Sequence, residues 1–356
     1  MTISHDSMPA SDPLADPLAI DARRLEPWLA ANLPFYEGPL SIARMTGGQS
    51  NPTYRLSTPA HEYVLRRKPP GALLPSAHAV DREHRVMAAL AGSAVPVPAM
   101  HGLCTDESVI GSVFFVMDFV PGRSFVQPSD PALTPTDRRA LFRSMNATLA
   151  ALHAIDPAAI GLDDFGRPGN YIARQVARWS KQYRASETQP IAEMDRLIDW
   201  LPANLPPEGT ISIVHGDYRL DNLIVDPDAP RIIAVLDWEL STLGDPIADL
   251  AYHCMAWRFT PELFRGIAGL DLAALGVPGE AEYVAAYAHH RGLGDIPHWG
   301  FYMAYNMFRF AAILQGVWHR ALQGNAVGPG AQAMGAKVAP IARLAWDEAN
   351  RKDERG

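Results

Sequence analysis

The sequence predicts an α+β protein in which a strand-rich N-terminal part precedes a larger, mainly helical C-terminal part. Short apolar runs separated by turn residues dominate up to residue 120. From Pro135 onward, apolar positions recur at helical steps instead. One strand pair, 223–225 with 232–236, interrupts the helices, and the turn residues at 226–230 predict that it is a hairpin. The polar residues at the ends of this pair carry the functional argument.

The N-terminal part is predicted to follow a disordered tail, residues 1–20, which is rich in Asp, Pro and Ser. The tail lacks the basic and apolar regions of a secretory signal. A helix, three strands, a second helix and two further strands are expected after it. The helices are predicted at 21–33 and 78–90, and the strands at 40–45, 53–56, 62–66, 95–98 and 113–117.

The C-terminal part is predicted to be built from helices around the hairpin. The helix at 298–323 is apolar around nearly its whole circumference, which predicts burial on several sides. Arg309 interrupts it and must be paired; an internal Asp or Glu is favoured over a bound phosphate or carboxylate. Segment 327–340 is expected to be a loop and 347–356 a solvated end. The other helices are predicted at 135–155, 174–184, 191–201 and from 245, where Asp245 caps the helix.

Composition agrees with a cytoplasmic enzyme. The 356 residues are 48% hydrophobic and carry a net charge of −8, which argues against a nucleic-acid surface. No apolar run approaches the roughly 18–20 residues of a membrane span. Cys104 and Cys254 have no metal or redox spacing and are expected to be buried free thiols. The oligomeric state stays open.

Three polar residues fit the requirements of phosphoryl transfer. Asp217 and Asn222 leave the same loop, and the hairpin returns Asp237 beside them. Such a site needs a carboxylate to orient a substrate hydroxyl, and oxygen ligands to hold Mg²⁺ against ATP phosphates. Any one of these residues could be an ordinary turn former, but the three together favour the phosphoryl-transfer site.

The loop also resembles a known family. His215-Gly-Asp217 with Asn222, followed by Asp237-Trp-Glu239, is similar to the kinase patterns H-R-D-x-x-x-x-N and D-F-G. In this variant it resembles the aminoglycoside phosphotransferase and choline kinase-like family. The resemblance implies a bilobal protein-kinase-like fold, with an N-lobe of antiparallel sheet plus helix at 21–120 and a larger, mainly helical C-lobe at 121–356.

The resemblance also implies ATP and Mg²⁺ as cofactors and assigns roles in the C-lobe. Asp217 would be the catalytic base, and Asn222 and Asp237 would be the Mg²⁺ ligands. Asp249 would brace the catalytic loop together with His215. Because Asp217 is better placed, His215 is expected to be a hydrogen-bonding group and not a base.

The resemblance also implies nucleotide-binding roles for residues of the N-lobe. Arg66 occupies the position of the kinase lysine, with Lys68 as the alternative, and Glu83 on the next helix would pair with it. Adenine would bond backbone groups near Met117 and Phe119. A glycine turn would lie over the phosphates, unless it is only a hairpin turn. Its residues are Gly47, Gly48, Ser50 and Asn51.

The run 65–83 narrows the resemblance to the phosphotransferase domain of certain acyl-CoA dehydrogenase family members. That branch implies a small-molecule acceptor of the 4-hydroxyacyl-CoA class, phosphorylated on its hydroxyl, and the chain is expected to be a stand-alone version. An aminoglycoside or other amino-alcohol kinase, and a catalytically silent nucleotide-binding protein, stay open as alternatives. A metal-dependent hydrolase would need additional His ligands, which the sequence does not supply.

Overall fold

The computed structural model describes residues 18–33, 36–45, 51–69, 79–167, 169–323 and 330–351. It divides into two compact units, Met1–Ala91 with Pro98–Val120, and Gly92–Val97 with Pro121–Gly356. The first unit carries an antiparallel sheet and the second is mainly helical, so the predicted α+β class is confirmed. Of the predicted N-terminal tail, residues 1–17 lie outside the described residues.

The first unit is built on a five-stranded antiparallel sheet in the order β1-β2-β3-β5-β4. Strand β3 lies at its centre, where Arg66 is opposite Thr53 of β2 and Phe115 of β5. Apolar side chains from one face of this sheet pack against α1, which contributes Leu25 and Leu29. The elements are α1 Ala22–Asn32, β1 Ser41–Arg44, β2 Thr53–Ser57, β3 Glu62–Arg67, α2 Val80–Leu90, β4 Met100–Cys104 and β5 Phe114–Asp118.

The predicted strand at 95–98 is wrong, and the strand that pairs with β5 is β4. Proline has no N–H group to donate to a strand ladder, so Pro96 and Pro98 disfavour strand pairing there. The Pro96 carbonyl instead accepts a hydrogen bond from Val235 N–H at 2.8 Å. This contact explains why Gly92–Val97 groups with the second unit, although the predicted N-lobe, 21–120, included this segment.

The second unit surrounds two short strand pairs with helices. Strand β6 pairs with β9, and β7 pairs with β8 in the predicted hairpin. The loop from His215 to Asn222 therefore begins where β6 ends and leads into β7. The elements are α3 Pro135–Ala154, α4 Tyr171–Ser186, α5 Ala192–Ala203, β6 Ser212–Val214, β7 Leu223–Val225, β8 Ile232–Val235, β9 Thr242–Gly244, α6 Pro246–Cys254, α7 Pro261–Phe264, α8 Leu272–Leu275, α9 Glu280–His290, α10 Trp299–Leu322 and α11 Ala331–Asn350.

Helix α10 is buried along most of its length, as its apolar circumference predicted. The predicted loop at 327–340 is wrong for residues 331–340, which are helical; 327–329 lie outside the described part. Apolar residues of α11 such as Ile341 are fully buried. The stabilisation from this burial outweighs the energetic cost of having Pro340 inside the helix. A Cβ at Gly335 would lie 2.6 Å from Trp318 Cδ2, so glycine permits the close approach of α10 and α11.

The expectation of a solvated end at 347–356 is also wrong in part. Glu348 is buried and its Oε1 lies 2.5 Å from Arg258 Nε, so α11 is tied to the unit by a charged pair. Cys104 and Cys254 are buried free thiols, as predicted. Among the described helices, none has the length and hydropathy required to cross a bilayer.

Candidate active site

One buried carboxylate fixes the start of the loop between β6 and β7. Asp249, in the first turn of α6, accepts the backbone N–H of His215 at 2.7 Å and that of Gly216 at 2.8 Å. His153 Nε2 of α3 lies 3.1 Å from the same carboxylate. Burial alone would raise the pKa of Asp249, but the hydrogen bond to His153 and the nearby imidazole groups, together with the His215 backbone N–H, lower it overall. The ionised carboxylate therefore clamps two successive peptide groups.

The clamped loop also depends on a glycine. Gly216 has a φ of +80°, a region that residues with a Cβ rarely adopt. A Cβ at this position would lie 2.8 Å from the Leu240 carbonyl oxygen. Glycine is therefore required at this position for both conformational and steric reasons.

His215 uses both ring nitrogens within the protein. Its Nε2 lies 2.9 Å from the Leu236 carbonyl oxygen, and its Nδ1 accepts the Asp217 backbone N–H at 3.2 Å. This pair of contacts requires a neutral imidazole with the proton on Nε2. The ring thus joins the loop to the end of β8, and neither nitrogen is available to take a proton.

Asp217 is held by three side chains. Its Oδ1 accepts the Tyr252 hydroxyl at 2.5 Å and lies 3.0 Å from Arg219 Nε. Its Oδ2 accepts Asn222 Nδ2 at 3.0 Å. Burial, followed by the charge of Asp217, raises the pKa of Tyr252, so the tyrosine stays protonated as a donor. The Asp217 side chain keeps 17% of its surface exposed, and the carboxylate is therefore oriented and still accessible.

Asn222 and Asp237 lie beside each other because of the hairpin register. Leu223 is opposite Val235, and Leu236 N–H donates to the Asn222 carbonyl at 2.8 Å, immediately before Asp237. The amide nitrogen of Asn222 is directed to Asp217, so the amide oxygen faces elsewhere as an acceptor. Asp237 has a φ of +63°, an uncommon conformation for a residue other than glycine.

These two oxygen-bearing side chains fit a hard divalent cation. In the described part of the chain, no cluster of three or more His, Cys, Asp or Glu residues forms a metal site by itself. A carboxamide and one carboxylate suit a cation whose other ligands come from phosphates and water.

The first unit contains the predicted cation and carboxylate pair. Arg66 Nε lies 3.1 Å from Glu83 Oε2, and both side chains are largely buried. Asn51 Nδ2 donates to the other carboxylate oxygen, Oε1, at 2.8 Å. Lys68, the alternative to Arg66, lies 3.5 Å from the more exposed Asp81 instead. Arg66 is therefore the strand cation that pairs with Glu83.

Only some of the other residues predicted to bind the nucleotide lie in the described part of the chain. Gly47, Gly48 and Ser50 lie outside the described residues. Asn51, the fourth residue of that turn, is fully buried against Glu83. At the end of β5, Asp118 N–H donates to the Ala99 carbonyl and Phe119 N–H to the Glu62 carbonyl. A purine near Met117 and Phe119 would therefore have to use other backbone groups of that segment.

A pocket in the second unit opens beside the Asp217 loop. It has an empty volume of about 560 Å³, counted to its open mouth. Most of its walls are apolar, and Tyr252 and Arg219 connect it to Asp217. Burial lowers the pKa of His253 to about 4, so this wall residue is uncharged at neutral pH. The remaining lining residues are Val126, Pro128, Phe142, Met145, Leu220, Asp221, Met255, Ala256, Phe259, Phe264, Arg265 and Phe310.

Residues 41–305 match the model of the phosphotransferase enzyme family, APH. The chain belongs to this family. It is a phosphotransferase that acts on hydroxyl groups, which agrees with the enzyme class predicted from the Asp217 loop. The predicted family resemblance is confirmed.

One solved structure supports the same family membership, and a second shares the fold. A Ralstonia eutropha JMP134 protein assigned as an aminoglycoside phosphotransferase is 49% identical, with a TM-score of 0.86, over 93% of this chain and 98% of that one. A thermostable mutant of aminoglycoside phosphotransferase APH(4)-Ia, in a ternary complex with AMP-PNP and hygromycin B, has a TM-score of 0.61 at 16% identity. It covers 93% of this chain and 100% of that chain. At that identity the second match establishes the shared kinase-like fold alone.

Curated relatives of this phosphotransferase are longer proteins. Acyl-CoA dehydrogenase family member 10 of Mus musculus is 46% identical over 352 residues, which are 98% of this chain and 33% of that protein. Family member 11 of Homo sapiens is 41% identical over 314 residues, 86% of this chain and 40% of that protein. The chain therefore spans between a third and two fifths of the length of these two relatives.

The sequence did not predict several residues that contact or support the loop from His215 to Asn222. Arg219 lies only two residues after Asp217, so its reach to that carboxylate could have been anticipated. Tyr252 and Arg309 come from α6 and α10, and no local pattern connects them with the loop. His153 of α3 contacts Asp249, which holds the loop, and no local pattern connects these two residues either. Each of these three long-range contacts depends on helix packing that sequence spacing does not encode.

We expect Asp249→Asn to destabilise the second unit and to lower phosphotransferase activity. The carboxamide offers only one acceptor oxygen, and its NH₂ group would face a backbone N–H, a loss of about 2 kcal/mol. Urea unfolding and turnover would measure both effects. Asp228→Asn, the same chemical change at an exposed site, is the control and should leave both unchanged.

The stability difference between wild type and Asp249→Asn should also depend on pH. Because the pKa of Asp249 is lowered in the folded protein, its contribution is present above the ordinary carboxyl pKa of about 4 and is lost as pH falls toward the folded-state value. The difference in melting temperature should therefore shrink on acidification below about pH 4. An equal difference at all pH values would contradict the ionised clamp.

Proposed function

We propose that this phosphotransferase transfers the γ-phosphoryl group of Mg·ATP to the hydroxyl of a small molecule, and that Asp217 orients that hydroxyl. The observation that carries the proposal is the Asp217 carboxylate, fixed by Tyr252, Arg219 and Asn222 and still partly exposed. Phosphoryl transfer requires mainly positioning and charge stabilisation, with little covalent chemistry from the protein. A rigidly held carboxylate that can accept the hydroxyl proton meets this requirement.

Asn222 and Asp237 would hold the Mg²⁺ ion. The amide oxygen of Asn222 and the neighbouring Asp237 carboxylate supply the oxygen ligands that this cation prefers. When bound, Mg²⁺ neutralises negative charge on the ATP phosphates. The left-handed backbone of Asp237 is consistent with a side chain whose direction is constrained for this purpose.

Arg66 is proposed as the cation that contacts the ATP phosphates. Glu83 and Asn51 hold its position, since the buried Glu83 carboxylate is shared between them. Arginine can present several N–H donors to phosphate oxygens at once. The Arg66–Glu83 pair therefore supports a nucleotide-binding unit. The presence of both Asp217 and Asp237 argues against a catalytically silent nucleotide-binding protein.

The acceptor is proposed to be a hydroxyacyl-CoA or a related hydroxylated acyl conjugate. The pocket beside Asp217 has mostly apolar walls, which suit an acyl chain. Its charged groups include Arg219 and Arg265, which both pair with Asp221 and can attract the anionic part of an acceptor. The similarity to acyl-CoA dehydrogenase family members 10 and 11 supports the same acceptor class. A polycationic aminoglycoside would instead meet two arginines.

Two substitutions separate the proposed base from the proposed metal ligand. Asp217→Asn should lower kcat by at least about 100-fold and leave Mg·ATP affinity within about twofold, because the nucleotide does not depend on this carboxylate. Asp237→Ala should weaken Mg·ATP binding itself. Calorimetry measures binding, and ADP formation measures turnover.

Asp228→Asn serves again as the control, because it makes the Asp217→Asn change at an exposed position of the same hairpin. Equal activity in Asp217→Asn and wild type would refute the role of Asp217. Undetectable binding of Mg·ATP to the wild type would refute the kinase function itself.

A panel of acceptors tests the substrate class. Purified protein should transfer phosphate from ATP to a 4-hydroxyacyl-CoA and show lower kcat/KM with kanamycin, choline and homoserine. Arg265→Gln should raise the KM for the acyl-CoA about tenfold, because one charge-assisted contact is lost. Its Mg·ATP affinity should not change. Efficient turnover of kanamycin or choline and none of the acyl-CoA would contradict this acceptor class and leave the kinase function intact.

A further inference from the structure

Helix α10 contains a buried arginine without an ion-pair partner among the residues that the structure describes. Arg309 is 8% exposed, and its Nε atom has no hydrogen-bond partner. Its NH2 group donates to the Gly216 carbonyl oxygen at 2.9 Å. The expected internal Asp or Glu partner is therefore wrong, and a backbone carbonyl takes that place.

Two aromatic rings complete the surroundings of the guanidinium. Its carbon lies 5.1 Å from the ring centre of Tyr252 and 5.7 Å from that of Trp179. Cation–π attraction at a desolvated site offsets part of the cost of burying the charge. Arg309 is not among the residues that line the pocket beside the loop.

Two of the three contacts of Arg309 lead to Asp217. The Gly216 carbonyl and the Asp217 N–H belong to one peptide plane. Arg309 donates a hydrogen bond to the Gly216 carbonyl oxygen of this peptide group. His215 Nδ1 accepts a hydrogen bond from the Asp217 N–H of the same group at 3.2 Å. The Tyr252 ring that Arg309 contacts carries the hydroxyl that donates to Asp217 Oδ1.

We propose that Arg309 is a positioning residue that sets the direction of the Asp217 carboxylate through the Gly216 peptide group and the Tyr252 ring. The proposal rests on the proposed function, since it requires Asp217 to orient the acceptor hydroxyl. A planar guanidinium can hydrogen-bond along its edge while its face contacts aromatic rings, and a lysine ammonium cannot do both. The central part of α10 thus contributes to the phosphoryl-transfer step without touching the substrates.

The first experiment compares Arg309→Met and Arg309→Lys with Gln315→Met. Gln315 is a buried polar residue of the same helix whose amide donates to Ser186 and Thr188, away from the loop. We measure kcat and KM with 4-hydroxyacyl-CoA, the calorimetric Kd for Mg·ATP, and the melting temperature. Turnover by the wild type tests the proposed function. The ratio of each variant's kcat to that of the wild type tests the role of Arg309.

Arg309→Met should lower kcat about 100-fold, the loss that a small displacement of a catalytic group can cause. Its Kd for Mg·ATP and its KM for the acceptor should stay within about threefold. Arg309→Lys should recover part of kcat, and Gln315→Met should lose stability with kcat within twofold. If kcat falls only in proportion to the folded fraction, as in Gln315→Met, the proposal is overturned.

A double-mutant cycle with Tyr252→Phe keeps the proposal testable even where Arg309→Met folds poorly. Tyr252→Phe removes the hydroxyl that donates to Asp217 and retains the ring. If Arg309 acts partly through Tyr252, the loss of kcat in Arg309→Lys/Tyr252→Phe should be smaller than the product of the two single losses. Losses that multiply fully would show that the two residues act independently, which contradicts the proposal.

Discussion

The second unit depends on the hydrogen bonds from two successive backbone N–H groups to the buried Asp249 carboxylate. A carboxylate removed from water is costly unless it is fully hydrogen-bonded. The chain satisfies Asp249 with His215, Gly216 and His153. Because a charged group accepts these bonds, the loop cannot shift without leaving that charge unsatisfied. The loop geometry therefore follows from the position of α6.

The same constraint organises the residues on the other side of the loop. His215 joins the loop to the end of β8, and the hairpin register puts Asn222 beside Asp237. Arg309 holds the Gly216 carbonyl, so the peptide groups next to Asp217 are fixed from two directions. A carboxylate held in this way does not need to be reoriented when the substrates bind. This arrangement explains how a phosphotransferase can rely on positioning more than on proton transfer.

Much of this architecture could be predicted because it is encoded locally. Apolar alternation and turn residues predicted the hairpin, and that hairpin brings Asp237 back to Asn222. The Arg66–Glu83 pair was predicted because one strand and the following helix supply both residues. The support from Tyr252 and Arg309 was not predictable, since it depends on how α6 and α10 pack around the loop. The helix at 331–340 was missed because Gly335 and Pro340 suggest a loop until their burial against α10 is known.

In the proposed mechanism, one loop and one hairpin divide their polar side chains between a metal site at Asn222 and Asp237 and a separate carboxylate, Asp217. The most direct test is a crystal structure with Mn²⁺ and AMP-PNP, in which anomalous scattering locates the metal independently of the acceptor. We expect a peak about 2.0–2.3 Å from the Asn222 amide oxygen and an Asp237 carboxylate oxygen, with Asp217 not coordinated. A metal bound to Asp217, or one that contacts neither Asn222 nor Asp237, would contradict it.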